Sequence, residues 1–143
     1  MKTIALRFSN NFAPECGTIA AHQEIITRNG YVWYGKLGTP VSNITQKDIL
    51  INEHPRILLI HSGGPDRYWA YVEAIQRDVP GCEGIPSYYQ MMREKFHTWF
   101  KVIRFEKAPV DIMSHCFVAS SGATLSNASR HSMSPYFIIN CND

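Results

Sequence analysis

The side chains able to do chemistry in this sequence are six histidines, four cysteines, twelve carboxylates and a rich supply of aromatics. His115-Cys116 is the only adjacent His/Cys pair. Neighbours in a strand point to opposite faces, so these two cannot activate each other there. His22-Gln23-Glu24 matches the H-x-E half of a zinc deaminase signature, but Pro80-Gly81-Cys82 is followed by Glu83 and no second cysteine. Without that half there is no metal site, and His22 and Glu24 read as the solvated side of a helix. His61-Ser62-Gly63 and His131-Ser132-Met133 lack the third residue of a paired H-x-T/S phosphoesterase box. His61, ending an apolar run, reads as a structural histidine. The carboxylates show no close pair suited to acid/base work. Neither G-x-G-x-x-G nor the P-loop pattern occurs, which removes the common phosphate-cradling loops.

The aromatics remain, at 12% of the chain. Trp33 and Tyr34 end a strand pattern just before Gly35-Lys36. Tyr68-Trp69 follow a Gly-Gly turn, Tyr88-Tyr89 open a helical pattern, and Trp99-Phe100 open a strand. Aromatics mostly fill cores, because they bury the most area per residue. Gathered at the ends of elements they can instead form a stacking pocket for a planar or cationic ligand, where each contact contributes about 1–3 kcal/mol. Lys36 and Arg67 flank these clusters as candidate phosphate contacts, and Ser62, Gly63 and Gly64 offer backbone donors at a turn.

The elements that must position these residues are short. Thr3 to Phe8 alternates as a first strand. Thr18 is placed to cap a helix carrying Ile19, Ile25 and Ile26, with Gly30 ending it. Tyr31 to Tyr34 has strand composition. Residues 41–56 are polar and ambiguous, with room for a short helical turn from Thr45 to Leu50. Arg56 to His61 reads as a strand buried on both faces, forming a hairpin through Ser62-Gly63-Gly64-Pro65-Asp66 with a strand from Tyr68 to Ile75. Ser87 and Gln90 have capping-box spacing for a helix reaching about Lys95. Trp99 to Glu106, Phe117 to Ser120 and Tyr136 to Ile139 complete the strands, the last two separated by Ser121-Gly122 and a Ser/Asn-rich stretch from Ser126 to Ser134. The expectation is a single α+β domain over residues 1–143: a small mixed, strongly curved sheet or barrel with two or three helices packed outside.

Composition sets the limits. A chain of 143 residues has the length of one domain. No apolar run approaches the roughly 20 residues of a membrane span. Arg7 interrupts any signal-peptide core, so a cytoplasmic protein is expected. In a reducing compartment, with no C-x-x-C, Cys16, Cys82, Cys116 and Cys141 are expected as isolated thiols. A net charge of +2 excludes an extended polyanion track but allows a local patch.

Several pieces taken in order resemble the PUA-like superfamily, in the branch holding the EVE and YTH domains. Ile4 to Ser9 is similar to the group's first strand, and Gly30-Tyr31-Val32-Trp33 resembles its G-x-W segment. The run Ile57 to Gly64 followed by Tyr68 to Glu73 resembles its hairpin, and Trp99 to Phe105 its F-K-V-x-W/I strand. The likeness covers most of residues 4–110. Ala70 stands where a glycine is usual, and the tail from Phe117, with Ser120-Ser121-Gly122, has no counterpart.

The resemblance implies a module that reads a modified nucleobase in DNA or RNA, with no cofactor. Trp33 would be the stacking residue, with Trp99, Tyr88 and Tyr89 as further candidates. Tyr34, Lys36, His61, Ser62, Gly63, Arg67 and Trp69 complete the expected binding set. Three alternatives share the same features. They are a pocket for a free nucleotide, an enzyme using His61, His115 or Cys116, and a protein-interaction module presenting its aromatics.

Overall fold

The computed structural model describes residues 1–142. Its strands are β1 (Lys2–Phe8), β2 (Val32–Leu37), β3 (Arg56–His61), β4 (Arg67–Gln76), β5 (Phe96–Lys107), β6 (Cys116–Val118) and β7 (Tyr136–Cys141). Its helices are α1 (Thr18–Asn29), α2 (Asn43–Leu50) and α3 (Leu125–His131). The strands form one mixed sheet in the order β2-β5-β4-β3-β1-β7-β6. Among the described residues only β1 and β3 pair in parallel; every other pairing is antiparallel. Register breaks between β2 and β5 and between β4 and β5 add local twist. The sheet curls without closing into a barrel, so that β2 faces the end of β1 across a cleft although three strands separate them in the sheet. The α+β, strongly curved mixed sheet with three helices agrees with the expectation.

Alternation along the strands builds two apolar layers. Ile4, Leu6, Ile57, Leu59, Val72 and Phe100 face α1 and α2. Ala5, Leu58, Ile60 and Trp69 face α3 and the tail. Because both faces of β3 are covered, its sequence is continuously apolar rather than alternating, as the central-strand reading requires. A third, aromatic cluster joins Ile85 and Tyr89 to Phe96 and Trp99 at the start of β5.

Gly30 ends α1 in the left-handed conformation at φ 84°, as anticipated. The start of α1 differs. Gly17 occupies the N-cap and Thr18 is the first helical residue; its amide donates to Asn10 Oδ1 at 2.9 Å and its hydroxyl to the Ser9 carbonyl at 2.9 Å. The cap therefore comes from the preceding loop, which no local motif signals. The ambiguous residues 41–56 contain α2, capped by Ser42 Oγ accepting from Thr45 N at 3.2 Å.

The helix expected from Ser87 to Lys95 is absent. Two 3-10 turns, Ser87–Tyr89 and Arg93–Lys95, take its place with no side-chain cap. Tyr88, Tyr89 and Met92 all reach the aromatic cluster while Met91, between them, is fully solvent-exposed, and successive tight turns accomplish this. The Ser/Asn-rich stretch between the last two strands carries α3: Thr124 caps it and buried Leu125 anchors it, outweighing weak intrinsic propensity.

The expectation of four free thiols is also corrected. Cys116 and Cys141 are joined in a disulfide, and Cys16 and Cys82 are free and exposed. The antiparallel register of β6 and β7 sets the pair directly opposite with Cα atoms 4.2 Å apart, a juxtaposition hidden by their separation of 25 residues in sequence. Among the described residues no helix is long and apolar enough to cross a membrane.

Candidate functional site

Where β1 and β2 face each other, the end of β1, the turns after Pro86 and the loop from Ser9 enclose a cleft of about 230 Å³. Phe8 projects into it from β1, Tyr34 and Lys36 from β2, and Tyr88, Tyr89 and Phe96 from the turns and the start of β5. Alternation along β2 explains this selection. Val32 and Tyr34 pack on the inner layer, so the residues between them must face outward. Trp33 accordingly packs against the outer aromatic cluster beside Gly84, and it does not line the cleft.

The walls are aromatic and mutually braced. Tyr89 tilts against Phe96 at 4.5 Å between ring centroids and meets Tyr88 edge-on at 4.9 Å. Gly35 permits this close packing, because a Cβ there would lie 2.6–3.0 Å from the Phe96 ring. Behind the wall lies His22. It was expected on a solvated helix face; instead it is fully buried, with ring centroids 4.9 Å from Tyr34 and 5.1 Å from Tyr89. Its Nδ1 bonds the Thr18 carbonyl at 2.8 Å, while Nε2 is buried without a partner. Desolvation lowers its pKa to about 4, so it is neutral at physiological pH.

Burial raises the pKa of the Tyr34, Tyr88 and Tyr89 hydroxyls; the charge Tyr88 would acquire raises Tyr34 further, and those of Tyr34 and Tyr88 raise Tyr89. All three stay protonated and able to donate. Lys36 differs from the exposed phosphate contact expected of it. It is 5% exposed and Nζ donates to the carbonyls of Leu37 at 3.2 Å and Thr39 at 2.5 Å. The ammonium lies 4.4 Å from the centre of the Tyr136 ring. No carboxylate pairs with it among the described residues, and desolvation lowers its pKa. The cleft thus combines flat apolar walls with phenol donors and the sequestered Lys36 ammonium.

The remaining expected residues lie elsewhere. Trp69 (2% exposed) and Trp99 (0%) are core residues. The Arg56 guanidinium covers the Trp69 ring at 4.0 Å, and Trp99 Nε1 has no hydrogen-bond partner. In the β3–β4 turn the Ser62 amide donates to the Phe8 carbonyl at 2.7 Å and the Gly64 amide to the His61 carbonyl at 3.3 Å, so neither is a spare donor. Gly63 occupies the left-handed region at φ 80° that the turn requires. Arg67 donates to the carbonyls of Gly64 and Asp66, bracing that turn. His61 stacks on Phe8, outside the aromatic cleft. Of the expected set, the structure brings together Tyr34, Lys36 and Tyr88, with Tyr89 beside them. It adds Phe8, Phe12, Met92 and Phe96, which share no motif and lie far from Gly35 in sequence, so no local signal marks them.

His115 bonds the exposed Asp111 carboxylate at 2.9 Å, and its neighbour Cys116 is in the disulfide, so the pair considered for nucleophilic chemistry is disarmed. Among the described residues no group of three or more His, Cys, Asp or Glu is placed to hold a metal.

Comparison with curated proteins and with solved structures gives no match. A family model does match, and its span, residues 4–138, runs from β1 into β7 and takes in every strand and helix that builds the cleft: the chain belongs to the Pua-like family.

Proposed function

We propose that the aromatic cleft between β1 and β2 binds a nucleobase, making this chain a base-recognition module for modified nucleic acid, as the EVE- and YTH-like resemblance implies. The observation that carries the reading is the cleft itself: aromatic walls from three separate segments around about 230 Å³. Pockets for drug-sized ligands run to roughly 300–1,000 Å³, so this one suits a single heterocycle with its sugar and phosphate left outside. Flat walls supply stacking, and phenol donors together with the Lys36 ammonium meet base acceptors. Membership of the Pua-like family supports the same reading.

The modest net charge of +2 favours a second reading, in which the cleft holds a free nucleotide, since that ligand needs no extended basic track. Calorimetric titration with a panel of methylated and unmodified nucleosides, and with short oligonucleotides carrying the same bases, tests the site. Tyr88→Ala should weaken the best ligand about 5- to 150-fold, the equivalent of about 1–3 kcal/mol of lost stacking. Trp33→Ala should leave affinity within threefold. The reverse ranking would move the site to the other face of β2, and no binding to any member of the panel would end the base-recognition reading.

A further inference from the structure

A second cleft, of about 440 Å³, opens on the other side of the segment joining β1 to α1. It shares Phe8 and Thr18 with the aromatic cleft, so the two are neighbours along one wall. Its character is different. Asn10, Gln23, His61, Asp66 and Lys107 line it, giving hydrogen-bonding groups where the first cleft has rings.

These groups are held in place yet have unused capacity. The His61 ring lies flat on Phe8, with centroids 5.0 Å apart and planes 8° from parallel. Gly64 closes over its edge, where a Cβ would come within 2.4 Å of Nδ1. Asn10 accepts from the Thr18 amide and points Nδ2 at His61 Nε2, 3.4 Å away, which assigns the imidazole proton to Nδ1. That Nδ1 has no hydrogen-bond partner, since Asp66 Oδ2 at 3.7 Å is beyond hydrogen-bond reach. Lys107 is exposed and makes neither a hydrogen bond nor an ion pair among the described residues. Among the described residues Asp66 is the one carboxylate lining the cleft, and it lies close enough to the Arg67 guanidinium to raise the Arg67 pKa against the lowering by burial.

We propose that this second cleft binds the backbone of a polynucleotide, with Lys107 on a phosphate and Asn10 and Gln23 on the flanking sugar-phosphate groups. The inference rests on the reading of the aromatic cleft as a base site. That cleft is too small for a whole nucleotide, so the backbone of its ligand must leave over the rim. The wall formed by Phe8 and Thr18 leads directly to an uncompensated ammonium and to amide groups with free donors. The ligand class is therefore a nucleotide within a strand, not a free one.

The test compares a nucleoside with a five-residue oligonucleotide carrying the same base at its centre, using the intact chain and two exposed-site variants, Lys107→Gln and Gln23→Ala. The wild type should bind the oligonucleotide at least tenfold more tightly. Lys107→Gln should weaken the oligonucleotide several-fold, leave the nucleoside unchanged, and reduce the log–log salt slope by about 0.7, the value of one single-strand phosphate contact. Gln23→Ala should likewise act on the oligonucleotide alone. Equal wild-type affinity for nucleoside and oligonucleotide, or an unchanged slope in Lys107→Gln, would overturn the second-cleft assignment while leaving the base site standing. Failure of both ligands to bind would remove the base site and the second cleft with it. An unchanged thermal midpoint in each variant certifies the fold.

Discussion

Acidification should loosen this protein through one side chain, His22. In the folded chain its pKa is lowered to about 4, first by burial, from an ordinary value of 6.5. Between those values the unfolded chain binds the proton more strongly than the folded chain, so stability rises with pH across that window. The contribution is complete above the unfolded value and is lost as pH falls toward 4. Linkage applied to the two values gives a loss of about 2.5 kcal/mol on going from about pH 7.5 to about pH 4.5. That is a large share of the roughly 5–15 kcal/mol that holds a typical domain together. The groups packed on the ring are Tyr34, Tyr88, Tyr89 and Phe105, none charged at these pH values, so no partner carboxylate offsets the effect. Urea unfolding of the wild type and of His22→Phe at the two pH values isolates the term, because the exposed carboxylates titrate alike in both. Phenylalanine retains the packing, and the Thr18 carbonyl retains its place at the start of α1. The wild type should lose about 2.5 kcal/mol more than the variant. Equal losses would show that the ring is reached by water or by a counter-charge, and that the aromatic wall is looser than described.

Two further outcomes follow from close packing and covalent linkage. Gly35→Ala drives a methyl group into the Phe96 ring, which is fixed between Tyr89 and Trp99; it should cost about 1–3 kcal/mol in denaturant unfolding and weaken nucleoside binding, and wild-type values for both would mean the ring moves freely. Under denaturing, non-reducing conditions a thiol reagent should label Cys16 and Cys82 alone, and reduction of the Cys116–Cys141 bond should lower stability by about 2–4 kcal/mol; labelling of all four without reductant would refute the pairing.

The sheet was legible in the sequence because its signals are local. The apolar run Ile57 to Ile60, the Gly-Gly turn and the aromatic-rich strands each carry their own pattern, and β3 and β4 pair as the turn requires. The site was legible only in part. The aromatics beside Gly35 were readable as candidates; which of two adjacent aromatics turns inward was not. Trp33 and Tyr34 differ by one residue, and their faces are set by Val32 packing inside and by the pairing of Tyr34 with Phe100 in β5. His22 was misread for a similar reason. Its helical position looks polar until Tyr88 and Tyr89, more than sixty residues later, fold over it. The disulfide and the Asn10 cap depend likewise on partners that only the tertiary fold brings near.

The placement of β1 has a consequence for how the chain reaches this structure. β1 lies between β3 and β7, so it waits first for a strand that begins at Arg56 and then for one that begins at Tyr136. The amino group of Met1 even donates to the carbonyl of Cys141 at 3.0 Å. Such distant pairings close large loops before any local contact rewards them, which makes for slow, late assembly. During synthesis the first strand stays half-paired until β7 has emerged, and its apolar residues Ile4 and Leu6 are exposed in the meantime. The rim of the aromatic cleft, built in part from the end of β1, is therefore among the last features to form. A nascent or truncated chain lacking β7 should be prone to aggregate and unable to bind, however intact its β3–β4 hairpin.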